Sequence, residues 1–514
     1  MLVVVSEKTG YPVEMLELHM DMESDLGIDS IKRVEILSAM QKQHPDLPEV
    51  NPTELAELRT LQQIVDHLGT NLGKAAPATA GAGYIQRTNR VPAPTNHAIT
   101  RNLVQLKAVP MPDFLEYALP ASACCLLTDD GTTTTTRVAE ALLAQGWRVA
   151  VLSFPPALVA TQATLPNGAG RVLLADVSEA ALQAGLQAVT NQIGTIGSFI
   201  HLRPREADTA AVLKQLFFLA KHLQQPLAEA AEQQPRANFL TVTSIDGALG
   251  LDGTMPFDPI SGGLFGLTKT VNLESPRLFC RAVDLHPGYE PEQIAAYVLA
   301  ELHDPNRLLV EVGYGNHGRV TLETVEAPLE PYTPSEQITP DSVFVVSGGA
   351  KGITAQCVIN LAQQYQCKFV LLGRSSIDDV DTSWLSDTAA DEAALKRQIM
   401  QHLIAQGEKP TPMLVGKLAR RIGSKREIEQ TLHAIRQAGS EVAYLAVDVT
   451  DAAALNVALT AGSQRLGTIT GIIHGAGVLS DTLLEKKTVA DYTAVYSTKV
   501  DGLHALLQAV PVQQ

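Results

Sequence analysis

The sequence predicts a multidomain chain: a small all-α domain, then two tandem α/β units on doubly wound parallel sheets, the second cut short. Three observations carry this. Residues 1–70 read as helices and hold 13 acidic against 5 basic side chains, a net −8 out of −16 for all 514 residues. "GKAAPATAGAGYIQRTNRVPAPTNHA", from Gly73, has no apolar period and is rich in Ala, Pro, Gly and Thr, the composition of a linker partly stiffened by proline. Beyond it, short apolar runs alternate with helical periods, and the alternation starts twice, the signature of strand–helix–strand repetition.

The elements follow in order. "ACCLLTDD" is a buried-strand candidate, "RVAEALLAQG" a helix ending at Gly146, and "WRVAVLSF" a second strand. "SFIHL" and "ANFLTVTS" add strands, and "GGLFGLTKTVNLE" adds a helix. "RLLVEVGYGNHGRVTLETVE" alternates around a Gly-Asn-His-Gly turn and predicts a hairpin. After "PLEPYTPSEQITP" the pattern restarts: "SVFVVSGGAKG", a helix, "CKFVLLGRSS", a helical and polar insertion, "EVAYLAVDVTD", a helix, and "GTITGIIHGAGV". The domains are therefore placed at 1–70, 99–330 and 331–514, with the linker at 71–98.

Composition narrows the function. A net charge of −16 argues against nucleic acid or an anionic membrane as partner. No apolar run approaches a membrane span, so no membrane insertion is expected. Cys124, Cys125, Cys280, Cys357 and Cys367 are odd in number and lack metal-ligand spacing. Free buried thiols in a reducing cytoplasm, with no metal site, are the expectation.

"DLGIDSIKRVEIL", residues 25–37, admits two readings. Ser30, or Asp29 before it, can cap a helix over roughly 30–43, with Ile31, Val34, Ile36 and Leu37 as its buried face. The same serine can also carry a phosphodiester at a helix N-terminus, where the dipole favours negative charge. Asp25 and Asp29 would repel that phosphate, so they need another purpose, such as recognition by basic partners. The stretch resembles the modification motif of acyl carrier proteins. "SEKTGYPVEMLELHMDMESDLGIDSIKRVEIL" is similar to the tandem carrier domains of bacterial polyunsaturated fatty acid synthase, a multidomain enzyme of the polyketide synthase kind. The resemblance covers about residues 1–70. It implies a four-helix carrier with 4'-phosphopantetheine attached covalently at Ser30 by a phosphopantetheinyl transferase. It also implies acyl thioester cargo, and other synthase domains or subunits as partners. Against that pattern the first helix lacks its beginning.

"VFVVSGGAKGITAQCVINLA" is a strand, a glycine-rich turn and an apolar-periodic helix. Gly348, Gly349 and Gly352 would let the backbone approach a pyrophosphate, although turns of this composition also simply join strand to helix. Arg374, after the next strand, suits a 2'-phosphate or stands solvated in a loop. Asp448 and Val449 end a third strand, and Gly475, Ala476 and Gly477 a fourth. The series resembles the ketoreductase domain of fatty acid and polyketide synthases, a Rossmann-like branch of the short-chain dehydrogenases, over about 340–510. Gly348, Gly349, Lys351, Gly352, Ile353, Arg374, Ser375, Asp448, Val449, Gly475, Ala476 and Gly477 would then line an NADPH site. Thr354 stands where many relatives have glycine. "YSTKVDGLHALL" resembles the helix with the family's catalytic lysine, which points to Lys499.

In that family a tyrosine donates the proton and a serine binds the same oxygen, both after the lysine helix. The chain stops at Gln514, before them, and Tyr492 and Tyr496 do not match the motif. "FLTVTSIDGALGLDGTMPFDPISGGLFGLTKTVNLES" resembles the corresponding segment and puts Ser244 after a strand. No tyrosine lies between Phe239 and Cys280, and Ser261 is a poor substitute. The first unit's turn, "TDDGTTTTTRVAEAL", holds one glycine, so residues 99–330 look like the noncatalytic half of a synthase ketoreductase. His201 and Arg203 read as ordinary loop residues. The function implied is a synthase fragment that carries acyl chains on Ser30 and, in its full-length parent, reduces 3-ketoacyl thioesters with NADPH. The alternative is a noncatalytic carrier and interaction protein.

Overall fold

The computed structural model describes residues 2–9, 11, 13, 16–22, 26, 28, 36, 40, 60–71, 100–328, 335, 337–385 and 392–510. The chain divides into two compact units, one of Pro92–Pro331 with Ser480–Asp491, the other of Met1–Val91, Tyr332–Leu479 and Tyr492–Gln514.

The first unit is a nine-stranded sheet in the order β1-β9-β8-β7-β6-β5-β2-β3-β4. Its strands are β1 (Arg101–Ala108), β2 (Ala123–Thr128), β3 (Arg148–Ser153), β4 (Ala169–Leu173), β5 (Thr195–Leu202), β6 (Asn238–Thr243), β7 (Phe279–Leu285), β8 (Glu311–Gly315) and β9 (Gly318–Ala327). From β4 to β8 neighbours run parallel, and every residue of β2, β6 and β7 is buried. Near-continuous apolar runs are what a sheet covered on both faces requires. The predicted hairpin forms as β8–β9, closing at Gly315 and Gly318. The sequence reading missed β1, a mostly exposed edge strand antiparallel to β9. Its burial has no period-2 alternation, so it lacks the usual strand signal.

Helix α1 (Leu2–Thr9) and helix α2 (Leu61–Asn71) lie in the N-terminal segment. In the nine-stranded unit α3 (Thr133–Ala144) starts where Thr132 accepts the N–H of Thr134, and the chain leaves it through Gly146 at φ +77°. Also here are α4 (Glu179–Gln192), α5 (Thr209–Gln233), α6 (Gly262–Glu274) and α7 (Pro291–Leu302). His201 is a correction to the loop reading: it lies in β5, fully buried. Arg203 follows the strand and donates to Thr209 Oγ1 at 2.6 Å. Of the five cysteines four are buried as expected, and Cys357 is exposed.

The second unit is a four-stranded parallel sheet in the order β12-β11-β10-β13: β10 (Val343–Ser347), β11 (Lys368–Gly373), β12 (Val442–Ala446) and β13 (Gly471–His474). Helices α8 (Gly352–Tyr365), α9 (Glu392–Ala405), α10 (Pro412–Gln437) and α11 (Ala452–Leu466) connect these strands. After β13 come α12 (Val489–Tyr496), a π-turn over Ser497–Asp501 and α13 (Gly502–Ala509). Both sheets read 3-2-1-4 from their outer third strand, the doubly wound, Rossmann-like order. Its reversal lies between β2 and β5 in one sheet and between β10 and β13 in the other. Among the described residues no helix is long and apolar enough to cross a membrane.

A buried ionic cluster ties the nine-stranded unit together. Arg281 on β7 lies 3.1 Å from Glu301 and 2.9 Å from Asp304, and Arg319 on β9 lies 2.7 and 2.6 Å from the same two carboxylates. Two cations face two anions out of water, with Tyr314 donating to Glu301. Removing one partner strands a buried charge. Arg319→Met is expected to lower the unfolding free energy by about 3–5 kcal/mol, read as a fall in urea midpoint at unchanged slope.

Candidate functional site

The order of the second sheet reverses between β10 and β13, the place where an open α/β sheet binds its ligands beyond the strand ends. Gly348 turns the chain at φ +66°, and a Cβ there would stand 2.9 Å from the Gly475 oxygen and 3.0 Å from the Ala476 nitrogen. Ser347 stitches the two strand ends: its carbonyl accepts Gly475 N–H at 3.0 Å and its hydroxyl accepts Ala476 N–H at 3.2 Å. Ser347 Oγ also lies 2.8 Å from His474 Nδ1. Burial, then the charge of Lys499, holds His474 below the usual imidazole pKa, while its Nε2 finds no hydrogen-bond partner among the described residues.

Helix α8 begins at Gly352, φ +61°, without a side-chain cap from Lys351. Its first N–H is taken instead by the Glu427 carboxylate, at 2.9 Å. Ile353, next in the helix, is 85% exposed. Gly349 is packed on the sheet, since a Cβ would meet Val346 at 2.5 Å. Gly475 faces α8, where a Cβ would meet Thr354 at 2.6 Å. Lys351 Nζ donates to Ser424 Oγ at 2.9 Å, and that hydroxyl lies 3.2 Å from Ser375 Oγ. Arg374 follows β11. Its charge helps hold the Asp448 carboxyl below its ordinary range, after the N–H of Thr450, 3.0 Å away. Val449 packs against Gly502, which also adjoins His474.

Lys499 lies in the π-turn, a distortion often found at functional sites. A Cβ on Gly477 would meet Lys499 Cε at 3.0 Å and Nζ at 3.3 Å, so the lysine reaches the end of β13. Tyr492 and Tyr496 stack at 5.7 Å, and burial raises the Tyr492 phenol. Ser347, His474, Ser424 and Glu427 escaped the sequence reading; Glu427 accepts the Gly352 N–H at 2.9 Å. The available signal was repetition. In the first unit Thr128 ends β2 and lies 3.0 Å from His201 Nδ1 on β5, the same hydroxyl–histidine pair at the same place in the strand order.

The corresponding region of the first unit is filled. Asp129, fully buried, accepts Gly131 N–H at 2.9 Å, Ser153 Oγ at 2.7 Å and Ala163 N–H at 3.3 Å. Asp284 takes the N–H groups of Ile245, Gly247 and Leu249 at 2.7–2.9 Å, around the loop after Ser244. Ser244 Oγ accepts from Arg205 at 3.1 Å. The space left among Asp130, Leu202, Arg203, Arg205, Thr243 and Ser244 is about 20 Å³, room for a water. His201, buried beside Arg203, is pushed down to about 3 and stays neutral.

In the N-terminal segment, Ser30, Asp25, Asp29, Ile31, Val34 and Leu37 lie outside the described residues. Around them Leu26, Ile28, Ile36 and Met40 are buried with Leu61 and Ile64 of α2, and Gln62 N–H bonds the Leu18 carbonyl at 2.7 Å. Among the described residues no group of three His, Cys, Asp or Glu side chains is placed to hold a metal ion.

Comparison with known proteins gives two matches along the chain. Residues 342–514 match the family model "KR domain", and residues 1–68 match "Phosphopantetheine attachment site". The chain is 33% identical over 99% of its length to a polyunsaturated fatty acid synthase polypeptide of Thraustochytrium sp., covering 18% of that protein. It is 25% identical over 60% of its length to 5-methyl-1-naphthoate synthase of Streptomyces sahachiroi, covering 15% of it. The chain thus spans less than a fifth of these relatives. A crystal structure of an N-terminal ketoreductase from the macrolactin assembly line shares the fold, with TM-score 0.54 and 17% identity over 80% of this chain and 71% of that one. The chain carries a phosphopantetheine attachment domain and a ketoreductase domain, which imply a covalent phosphopantetheine and NADPH use. The glycine turn and Arg374 beside Asp448 fit such a dinucleotide. Gly475→Ala, which drives a methyl into Thr354, is expected to weaken NADPH binding at least tenfold by titration calorimetry, an overpacking cost of about 1–3 kcal/mol. Adding Thr354→Gly should recover most of it.

Proposed function

We propose that this chain is the carrier and ketoreductase portion of a synthase of the polyunsaturated fatty acid or polyketide kind, working in the cytoplasm. The glycine-bearing strand ends at the β10–β13 reversal, inside the segment that matches a ketoreductase, carry the reading. Residues 1–70 form an all-α four-helix carrier whose Ser30 hydroxyl, charged by a phosphopantetheinyl transferase, holds acyl thioesters. Residues 71–98 are the linker, 99–330 the structural half of the ketoreductase and 331–514 its NADPH-binding half. The noncatalytic alternative is not favoured, because the ketoreductase match and the synthase relatives both point to reduction.

Bound NADPH would supply hydride to C3 of a 3-ketoacyl thioester, and a proton donor of the full-length parent would complete the hydroxyl. The protein's own contribution is placement. Gly348, Gly349 and Gly352 bring backbone close to the diphosphate, and the start of α8, with Ile353, presents donors to it. Lys351, Arg374 and Ser375 surround the adenosine end, where a guanidinium suits a 2'-phosphate. Asp448 and Val449 border the adenine. Gly475, Ala476 and Gly477 would lie along the nicotinamide ribose, and Lys499 would put positive charge beside it. The first unit supports rather than reduces, since Asp129 and Asp284 occupy the backbone donors of its turn and loop. Carrier and reductase share one chain, which raises the local concentration of the tethered ketone.

Arg374→Ala is expected to raise the NADPH dissociation constant about tenfold or more, the loss of one charged hydrogen-bonding partner, while NADH binding changes little. Equal loss for both nucleotides would remove Arg374 from the 2'-phosphate. Incubating the chain with a phosphopantetheinyl transferase and coenzyme A should add one arm by intact mass. The gain should vanish in Ser30→Ala, and its survival there would place the arm elsewhere.

A further inference from the structure

The insertion between β11 and β12 has an apolar face that the sheet does not cover. Leu395, Ile399, Met400 and Leu403 of α9 and Val415, Ala419 and Ile422 of α10 are buried in one cluster with Val4, Val5, Tyr11, Leu16, Met22, Leu26, Ile28, Ile36 and Met40 of the N-terminal segment. The other half of α10, at Ile428, Leu432 and Ile435, belongs instead to the cluster on the sheet with Val346, Phe369 and Leu371. One 26-residue helix thus serves two cores.

The polar contacts across this cluster are specific. Lys396 of α9 is 4% exposed, and its ammonium donates to the carbonyl of Thr9 at 2.7 Å. Thr9 is the last residue of α1, whose terminal carbonyls need donors and favour a cation. The insertion therefore caps a helix of the N-terminal segment. The same ammonium stands 4.3 Å from the centre of the Tyr11 ring. Tyr11 OH donates to the Pro412 carbonyl at 3.2 Å, and Gly416 leaves it space, since a Cβ there would come within 2.8 Å of that hydroxyl.

We infer that α9 and the first half of α10 are a docking platform for residues 1–71, so that the carrier is seated in cis on the ketoreductase insertion rather than hanging free on its linker. A buried, helix-capping lysine and a glycine matched to a tyrosine are features of a fitted interface. The inference rests on the packing of the described residues of the N-terminal segment and is independent of whether Ser30 is loaded.

Hydrogen–deuterium exchange of the whole 514-residue chain, followed by mass spectrometry, tests it. In the unsubstituted chain α1, α9 and residues 412–422 should be protected together. Gly416→Leu, which puts a good helix former in place of glycine but blocks Tyr11, and Lys396→Glu, which removes the donor to Thr9, should each speed exchange in all three at least tenfold. Residues 428–435 and NADPH affinity should hold. Lys396→Arg, which retains a donor, should keep most of the protection. The platform is overturned if α1 and α9 exchange freely in the unsubstituted chain. It is equally overturned if α1 loosens in both substituted chains while α9 and 412–422 keep their protection. Should Gly416→Leu also loosen 428–435, Lys396→Glu decides. Loading of Ser30 by the transferase is unaffected by either outcome, so the two readings fail separately.

Discussion

Backbone crowding where β10 and β13 end governs the candidate site. A side chain at Gly348 would meet the Gly475 carbonyl and the Ala476 nitrogen at about the same 3 Å, and one at Gly475 would meet Thr354 at 2.6 Å. With no side chains between them, the two strand ends and the first turn of α8 close on one another. The Ser347 carbonyl and hydroxyl can then both bond the opposite strand. The order of the sheet reverses at this seam, where a parallel sheet leaves a crevice beyond its strand ends. His474, Ile353 and Lys499 take their places from it. A single added methyl at the seam would part the strands, whereas the same methyl at Gly352 would meet nothing within 4 Å.

The two α/β units share this frame and differ in how its polar groups are satisfied. Each has a hydroxyl ending the first strand and a histidine on the fourth, 3.0 Å apart in one and 2.8 Å in the other. In the first unit the turn's N–H groups are bonded to the buried Asp129, and the loop after β6 is wound around Asp284. A backbone donor held by an internal carboxylate has no free geometry for a phosphate, and a second anion there would meet like charge. In the second unit a carboxylate also reaches the helix start, since Glu427 accepts the Gly352 N–H, but it comes from α10 and not from the turn itself. The difference lies in a few acidic residues placed inside rather than around a turn, and not in topology.

Much of the frame was legible because buried parallel strands are written as unbroken apolar runs: "ACCLLT", "NFLTVT" and "SVFVVS" needed no further information. Glycines at strand ends were equally readable, since their spacing follows the backbone. The edge strand β1 was not, because Arg101–Ala108 is mostly exposed and shows no alternation of burial. His201 was misplaced for a related reason. A histidine reads as a loop or surface residue unless its partner is known, and Thr128 lies 73 residues away. Glu427 and Ser424 were invisible in principle: they meet the nucleotide turn from a helix about 75 residues on. The polar insertion could be recognised as helical, but not as half of a second core, because its apolar partners stand at the other end of the chain.

That second core gives α10 an uncommon task. Its residues up to Ile422 pack with the N-terminal segment, and those from Ile428 onward pack on the sheet. Glu427, which holds the Gly352 N–H, is adjacent to the first sheet-packed residue. Between the two sets sits Gly423, with open space around it. Glycine costs a helix interior roughly 1 kcal/mol relative to alanine, so the rod is weakest at the boundary between its two cores. Stiffness on the sheet side keeps Glu427 and Ser424 fixed at the nucleotide turn. Glu427 and Ser424 lie beyond Gly423, on the half that packs on the sheet, while the residues before it pack with the N-terminal segment.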